Sequence, residues 1–262
     1  MKMYTFLNRL FFSRRFRVAM VLALVLGWSG RAFCGPIHDA ARKGDVNKIK
    51  TLLQTDPKLV ADRDKLGDTP LHSAALHGQL AAAQVLIDSG SDVKIKNNYG
   101  AFTPGDLSSV LNSNNHKDPV SLLTVHGVNA GDMKNGYTPL DLALFASKHK
   151  ELVQLLVAKG ADVNAMSASG ATPLFWAVLR DQKEDVLFLL DKGANVNAAD
   201  AYGDTILDCA LHLQYGSLIQ ILVDKGADVN AVDQSEHRPL TYALQMDDHK
   251  WADLLKKHGA HE

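Results

Sequence analysis

"KGADVNA" fills residues 159–165, "KGANVNA" fills 192–198, and "KGADVNA" returns at 225–231. Gly160, Gly193 and Gly226 are each 33 residues apart. A fixed interval of that size marks a chain built from equivalent units, and it decides the fold before any single element is assigned. Around these glycines a longer unit emerges. "GDTPLHSAALHGQLAAAQVLIDSGSDVK" starts at Gly67 and "GYTPLDLALFASKHKELVQLLVAKGADVNA" at Gly136. "GATPLFWAVLRDQKEDVLFLLDKGANVNA" starts at Gly170 and "GDTILDCALHLQYGSLIQILVDKGADVNA" at Gly203.

Each unit reads as two short helices and a turn. Thr69, Thr138, Thr172 and Thr205 stand where a hydroxyl can take an orphan backbone N–H of the first helix. Pro70, Pro139 and Pro173 follow at the first helical position, where a missing N–H costs nothing. Asp141 and Asp208 place a carboxylate at the positive end of the helix dipole. The second helix, as in "ELVQLLVAKG", carries apolar residues at helical spacing. It closes with Lys159, Lys192 or Lys225 and a glycine suited to a left-handed cap. One such pair cannot bury its apolar face, whereas pairs stacked side by side share a continuous core.

The pattern resembles the ankyrin repeat, through "TPLH" at 69–72, "TPLD" at 138–141, "TPLF" at 172–175 and the three "GA[DN]VNA" segments. The resemblance implies an all-α solenoid of helix–turn–helix units with β-hairpin fingers along one edge. Seven units span residues 37–262: an N-terminal cap at 37–66, repeats at 67–99, 100–135, 136–169, 170–202 and 203–235, and a C-terminal cap at 236–262. The unit at 100–135 is irregular. It has Gly105 where the others have leucine, and its Thr103 lies 24 residues before Gly127, against 21 from Thr69 to Gly90. The extra residues are expected within 112–118.

Charge is segregated along the chain. Six basic residues precede the first acid, Asp39, and the remainder carries 22 Lys+Arg (28 − 6) against 29 Asp+Glu, or −7. A body of that sign disfavours nucleic acid. The basic start leads into "VAMVLALVLGW" at 18–28, which reads as a secretory signal over residues 1–34, cleaved near 32–35. An uncleaved anchor is the rival reading, because signal and spanning segments overlap in length. A periplasmic or secreted, monomeric mature chain follows, with no membrane association of its own. Cys34 and Cys209 cannot make a disulfide framework, and Cys209 reads as a small buried hydrophobe.

No constellation for chemistry stands out. His72 and His77 are five residues apart rather than four, and the other histidines share no carboxylate spacing, so neither a metal nor a cofactor is expected. Asn164, Asn197 and Asn230 repeat at turns, where asparagine bonds local backbone. The resemblance implies a non-enzymatic protein-binding module that grips a protein partner through finger tips and the face of the first helices. Candidate contacts are Lys65, Leu66, Asp68, Tyr99, Phe102, Lys134, Tyr137, Tyr202, Asp204 and His237, with exposed aromatic rings weighed against rings that pack on adjacent fingers. Trp176 and Trp251 fall on apolar helix positions and read as core. A secreted effector, or a scaffold or inhibitor beside an envelope enzyme, remains the alternative.

Overall fold

The computed structural model describes residues 35–98, 136–146, 149–168, 170–200, 203–234, 236–244 and 249–261. They form twelve helices in six pairs: α1 Pro36–Lys43 with α2 Val46–Thr55, α3 Pro70–Leu76 with α4 Leu80–Asp88, and α5 Pro139–Ala146 with α6 Lys150–Ala158. Then come α7 Pro173–Leu179 with α8 Lys183–Asp191, α9 Ile206–His212 with α10 Gly216–Asp224, and α11 Pro239–Leu244 with α12 Lys250–Lys257. A 3-10 turn, Pro57–Ala61, follows α2. The expected signals start and stop these helices. Thr172 accepts from Phe175 N, and Thr205 and Asp208 cap each other. Gly160, Gly193 and Gly226 have φ of 92°, 86° and 88°, the left-handed conformation that ends the second helix.

Helices this short are marginal alone, so packing supplies their stability. The first helices form one row, α1 on α3 on α5 on α7 on α9 on α11, and the second helices line up behind them. Leu71, Leu140, Leu174, Leu207 and Leu240 are buried, one per unit, as are Leu86, Leu156, Leu189, Leu222 and Leu255 in the outer row. Each contributes about 1.5–3 kcal/mol through burial. Ala74, Ala143, Ala177, Ala210 and Ala243 are fully buried at one register of the inner row, where small side chains let neighbouring helices approach. Lysines closing the outer helices tie units together: Lys159 Nζ lies 3.1 Å from Asp88 and Lys225 Nζ 3.0 Å from Asp191.

The turns between units are closed by a recurring pair of backbone bonds. Asp64 N donates to Asp68 O and Gly67 N to Asp64 O, both at 3.0 Å. The same pair joins Ser167 with Ala171, Asp200 with Asp204, and Asp233 with His237. These fingers are turns rather than strand ladders: among the described residues the extended pairing is one isolated bridge, Ala199 with Thr205.

One stacking contact departs from the expected order of units. Helix α3 packs directly on α5, and His72 Nε2 donates to Tyr137 O at 3.0 Å. Asn97 N donates to Tyr137 O and Gly136 N to Asn97 O, each at 3.1 Å, which is the finger-closing pair with 36 additional residues in its tip (137 − 97 = 40, against 68 − 64 = 4). Among the described residues the unit at 67 is thus in direct contact with the unit at 136; the expected repeat at 100–135 and its insertion at 112–118 lie outside the described residues. Leu140 fills the inner core beside Leu71, and "GYTP" has the spacing of "GDTP". Deleting residues 100–135, with Tyr99 left to complete the turn, is expected to leave the contact of α3 with α5 in place, because the residues that make it lie outside the deletion. Loss of the cooperative urea transition in that variant would refute the direct contact.

Candidate partner-binding face

The inner helices and fingers share one face. Three residues into each inner helix stand Ser73, Leu142, Trp176, Cys209 and Tyr242, and helical geometry puts them at one register. The finger-closing residues Asp68, Tyr137, Ala171, Asp204 and His237 run alongside. Ring contacts join the two series: Tyr137 meets Trp176 edge-on at 5.2 Å between centroids, and His237 meets Tyr242 at 5.6 Å.

Two unlike patches result. The first is aromatic. Phe145 and Phe175 also meet Trp176 edge-on, each at 5.8 Å, and Arg180 lies over the Phe145 ring at 5.5 Å. Edge-to-face pairing suits the ring quadrupoles and the cation suits the ring face. Trp176 is only 4 % exposed, and its Nε1 is buried with no hydrogen-bond partner.

The second patch, one unit further on, is acidic. Burial raises the Asp204 carboxyl to about 6, with the negative charges of Asp200, Asp208 and Asp233 adding to the shift and His212 opposing it. His212 stacks on Tyr242 at 4.2 Å, and the Tyr242 hydroxyl donates to Asp233. Burial, then the same hydrogen bond, pushes the Tyr242 hydroxyl above its usual range. Cys209 lies within this patch; burial and the nearby carboxylates lift its thiol to about 12, so it is a poor nucleophile.

Of the expected contact residues, Lys65 and His237 are exposed, and Leu66 and Asp204 are partly so. Asp68 and Tyr137 are partly exposed as well, and both also bond within the stack. Asn97 Nδ2 donates to Asp68 Oδ1 at 2.7 Å, His38 Nε2 bonds Asp68 O at 2.9 Å, and Tyr137 N donates to Asn97 Oδ1 at 2.8 Å. Burial raises the Asp68 carboxyl to about 7 despite the Asn97 bond. Tyr99, Phe102, Lys134 and Tyr202 lie outside the described residues, as does the apolar run at 18–28. Phe145, His212, Tyr242, Asp200 and Asp233 were not anticipated. They sit on helix registers that read as core, or at the first residue of a finger turn.

The asparagine side chains do not bond local backbone as expected from their turn positions; they reach backbone of the following unit, 29 and 31 residues on. Asn164 Nδ2 donates to Gly193 O, Asn197 Nδ2 to Gly226 O and Asn230 Nδ2 to Gly259 O, at 3.0–3.3 Å. Among the described residues no group of three or more His, Cys, Asp or Glu is placed to hold a metal, and no helix is long and apolar enough to cross a membrane.

The family described as "Ankyrin repeats (3 copies)" matches residues 19–97, 109–167 and 145–233, well over half of the chain. The chain belongs to the ankyrin repeat family. Ankyrin repeats bind protein partners and are generally non-enzymatic interaction modules. The second match begins at residue 109, outside the described residues. The ankyrin repeat domain-containing protein 13C of Mus musculus is 35 % identical over 78 residues, 30 % of this chain and 14 % of that protein. A transient receptor potential cation channel subfamily A member 1 homologue of Caenorhabditis elegans is 38 % identical over 63 residues, 24 % of this chain and 5 % of that protein. The chain thus spans about a seventh or less of these curated relatives. Among solved structures, a chain in a complex of a predatory endopeptidase from Bdellovibrio bacteriovorus with an immunity protein is similar with a TM-score of 0.64. It is 22 % identical, and the alignment covers 86 % of this chain and 98 % of that one.

Proposed function

We propose that the chain is an exported, non-enzymatic module that binds one protein partner across the inner-helix face. The observation that carries this reading is the juxtaposition of the partly exposed Tyr137 and Phe145 rings, held by the buried Trp176, with the partly exposed Asp200 and Asp204 of the finger that follows the Trp176 unit. A partner that fits presents apolar or aromatic side chains to the first and lysine or arginine to the second. Charge of that sign steers encounter and fixes register more than it adds affinity. A rigid stack loses little conformational entropy on association.

Export rests on the basic start and the apolar run at 18–28. Mass spectrometry of the chain recovered from its producing cell is expected to show a new N-terminus near residues 32–35; an intact Met1 would remove the cleaved-signal reading. A partner that is an envelope enzyme is the second reading. Its support is the similar chain solved in an endopeptidase–immunity protein complex.

Asp204→Lys tests the face. The substitution adds a cation among carboxylates, so the fold should hold or gain stability while the partner is repelled. Crosslinked capture from the native compartment is expected to fall about tenfold or more. Equal recovery of the same partner by both forms would place the interface elsewhere.

A further inference from the structure

One buried register of the inner row holds histidine in the first two units, His38 and His72, and aspartate in two later ones, Asp141 and Asp208, and they do not do the same job. His38 and His72 each donate from Nε2 to a carbonyl of the following finger, Asp68 O at 2.9 Å and Tyr137 O at 3.0 Å. His72 Nδ1 meanwhile accepts from Thr69 N at 3.1 Å. One ring thus caps its own helix and ties down the next unit. Asp141 and Asp208 stand at the His72 register in the units at 136 and 203. Each keeps the cap: Thr138 N and Thr205 N donate to Oδ2 at 2.8 and 2.9 Å. Each leaves the other oxygen, Oδ1, buried with no hydrogen-bond partner, and the residues are 1 % and 2 % exposed. An ionised carboxylate only accepts, whereas a protonated one can donate to whatever carbonyl or water lies beside it.

We infer that Asp141 and Asp208 are held as neutral carboxylic acids in the folded stack, so that the C-terminal half tightens in mild acid and loosens in mild base. No cation compensates either group fully. Around Asp141 the charges are Lys96, which favours ionisation, and Asp162, which opposes it. Helix α3 offers the already bonded His72, α6 offers Lys150 and Glu151 at its exposed start, and α7 (PLFWAVL) has no ionisable side chain. Around Asp208 stand Asp200 and Asp233, with Asp204 also in range. Helix α11 adds Tyr242, bonded to Asp233, and α10 adds only the exposed Asp224.

Burial accordingly raises Asp141 to about 7, against the two Thr138 bonds, and raises Asp208 in the same direction with Asp233 and Asp200 adding to it. A carboxyl whose folded pKa lies above its unfolded value stabilises fully below the unfolded value and loses that contribution as pH rises through the folded one. For Asp141 the window runs from about 4 to about 7. His72 acts in the opposite sense in the N-terminal half. Burial pushes it down to about 3, so stability there is lost as pH falls below the ordinary histidine value of 6.5.

The test compares the full chain with Asp141→Asn, Asp208→Asn and the double variant, in urea unfolding at pH 5 and pH 8. Asparagine keeps the cap acceptor and carries no charge. The unfolding constant of the parent is expected to rise between pH 5 and pH 8 by roughly tenfold to a hundredfold more than that of the double variant. Equal pH responses would overturn the inference. Should a variant fail to fold, carbon-13 NMR titration of the aspartate side chains in the parent decides the matter. Assigned Asp141 and Asp208 carboxyls that titrate well above the ordinary aspartate range support it; either one titrating near 4 overturns it. Partner capture is not involved, so failure here is distinct from failure of the binding face.

Discussion

Trp176→Ala is expected to cost about 3–5 kcal/mol of unfolding free energy, the range for truncating a large buried aromatic. Three rings lean on Trp176 edge-on, from its own helix (Phe175), from the preceding helix (Phe145) and from the finger above (Tyr137). Removing the indole leaves a void bordered by two units, and a short two-helix unit has little freedom to collapse into it. Trp176→Phe separates packing from polarity. The indole Nε1 is buried without an acceptor, so phenylalanine forfeits no hydrogen bond and should cost less than about 1.5 kcal/mol. Urea denaturation followed by circular dichroism measures both. An alanine variant within experimental error of the parent would mean that the ring cluster is a surface ornament rather than a joint between units.

Gly136→Ala is expected to be at least as damaging, about 3 kcal/mol or more, although it adds one methyl. A Cβ at Gly136 would land on the carbonyl oxygen and side-chain oxygen of Asn97. Backbone cannot swing away there without breaking the bonds that close the finger. Those bonds are Gly136 N to Asn97 O, Asn97 N to Tyr137 O and Tyr137 N to Asn97 Oδ1, and the Tyr137 carbonyl also receives His72. Residues 35–98 should then uncouple from the rest, with amide exchange in α3 accelerating more than in α9. Gly160→Ala is the control. Nothing lies within 4 Å of its added Cβ, and only its φ of +92° is unfavourable, so about 1–2 kcal/mol is expected. Equal losses from the two substitutions would show that the turn, and not the clash with Asn97, sets the cost.

The repeat itself was legible from local chemistry. Thr–Pro starts, Lys–Gly stops and the 33-residue interval act within a few residues of each other, so sequence carries them whole. The order of stacking was not. Thr103–Pro104 gives a helix start as good as Thr138–Pro139, and the contact of α5 with α3 joins residues too far apart for any local signal to pair them. The candidate face was partly visible. Asp204 and His237 follow from their place at a turn; Asp68 and Tyr137 share that place, where the Asp68 carboxylate and the Tyr137 backbone N–H also bond Asn97. Asn97 itself gave no signal, because its partners lie 29 and 40 residues away. Trp176 reads as core and is core, yet it organises the face; a sequence window shows an apolar helix position and cannot show which rings gather around it.

Closure of one finger across residues 97 and 136 has a mechanical consequence. Under tension applied at the two ends of the solenoid, load passes through those hydrogen bonds and bypasses the 37 residues from Tyr99 to Asn135. Once that clasp opens, load falls on the covalent chain from Tyr99 to Asn135, whose contour is about 130 Å at full extension. A single-molecule force trace would carry that opening as an event distinct from the regular increments of the other units.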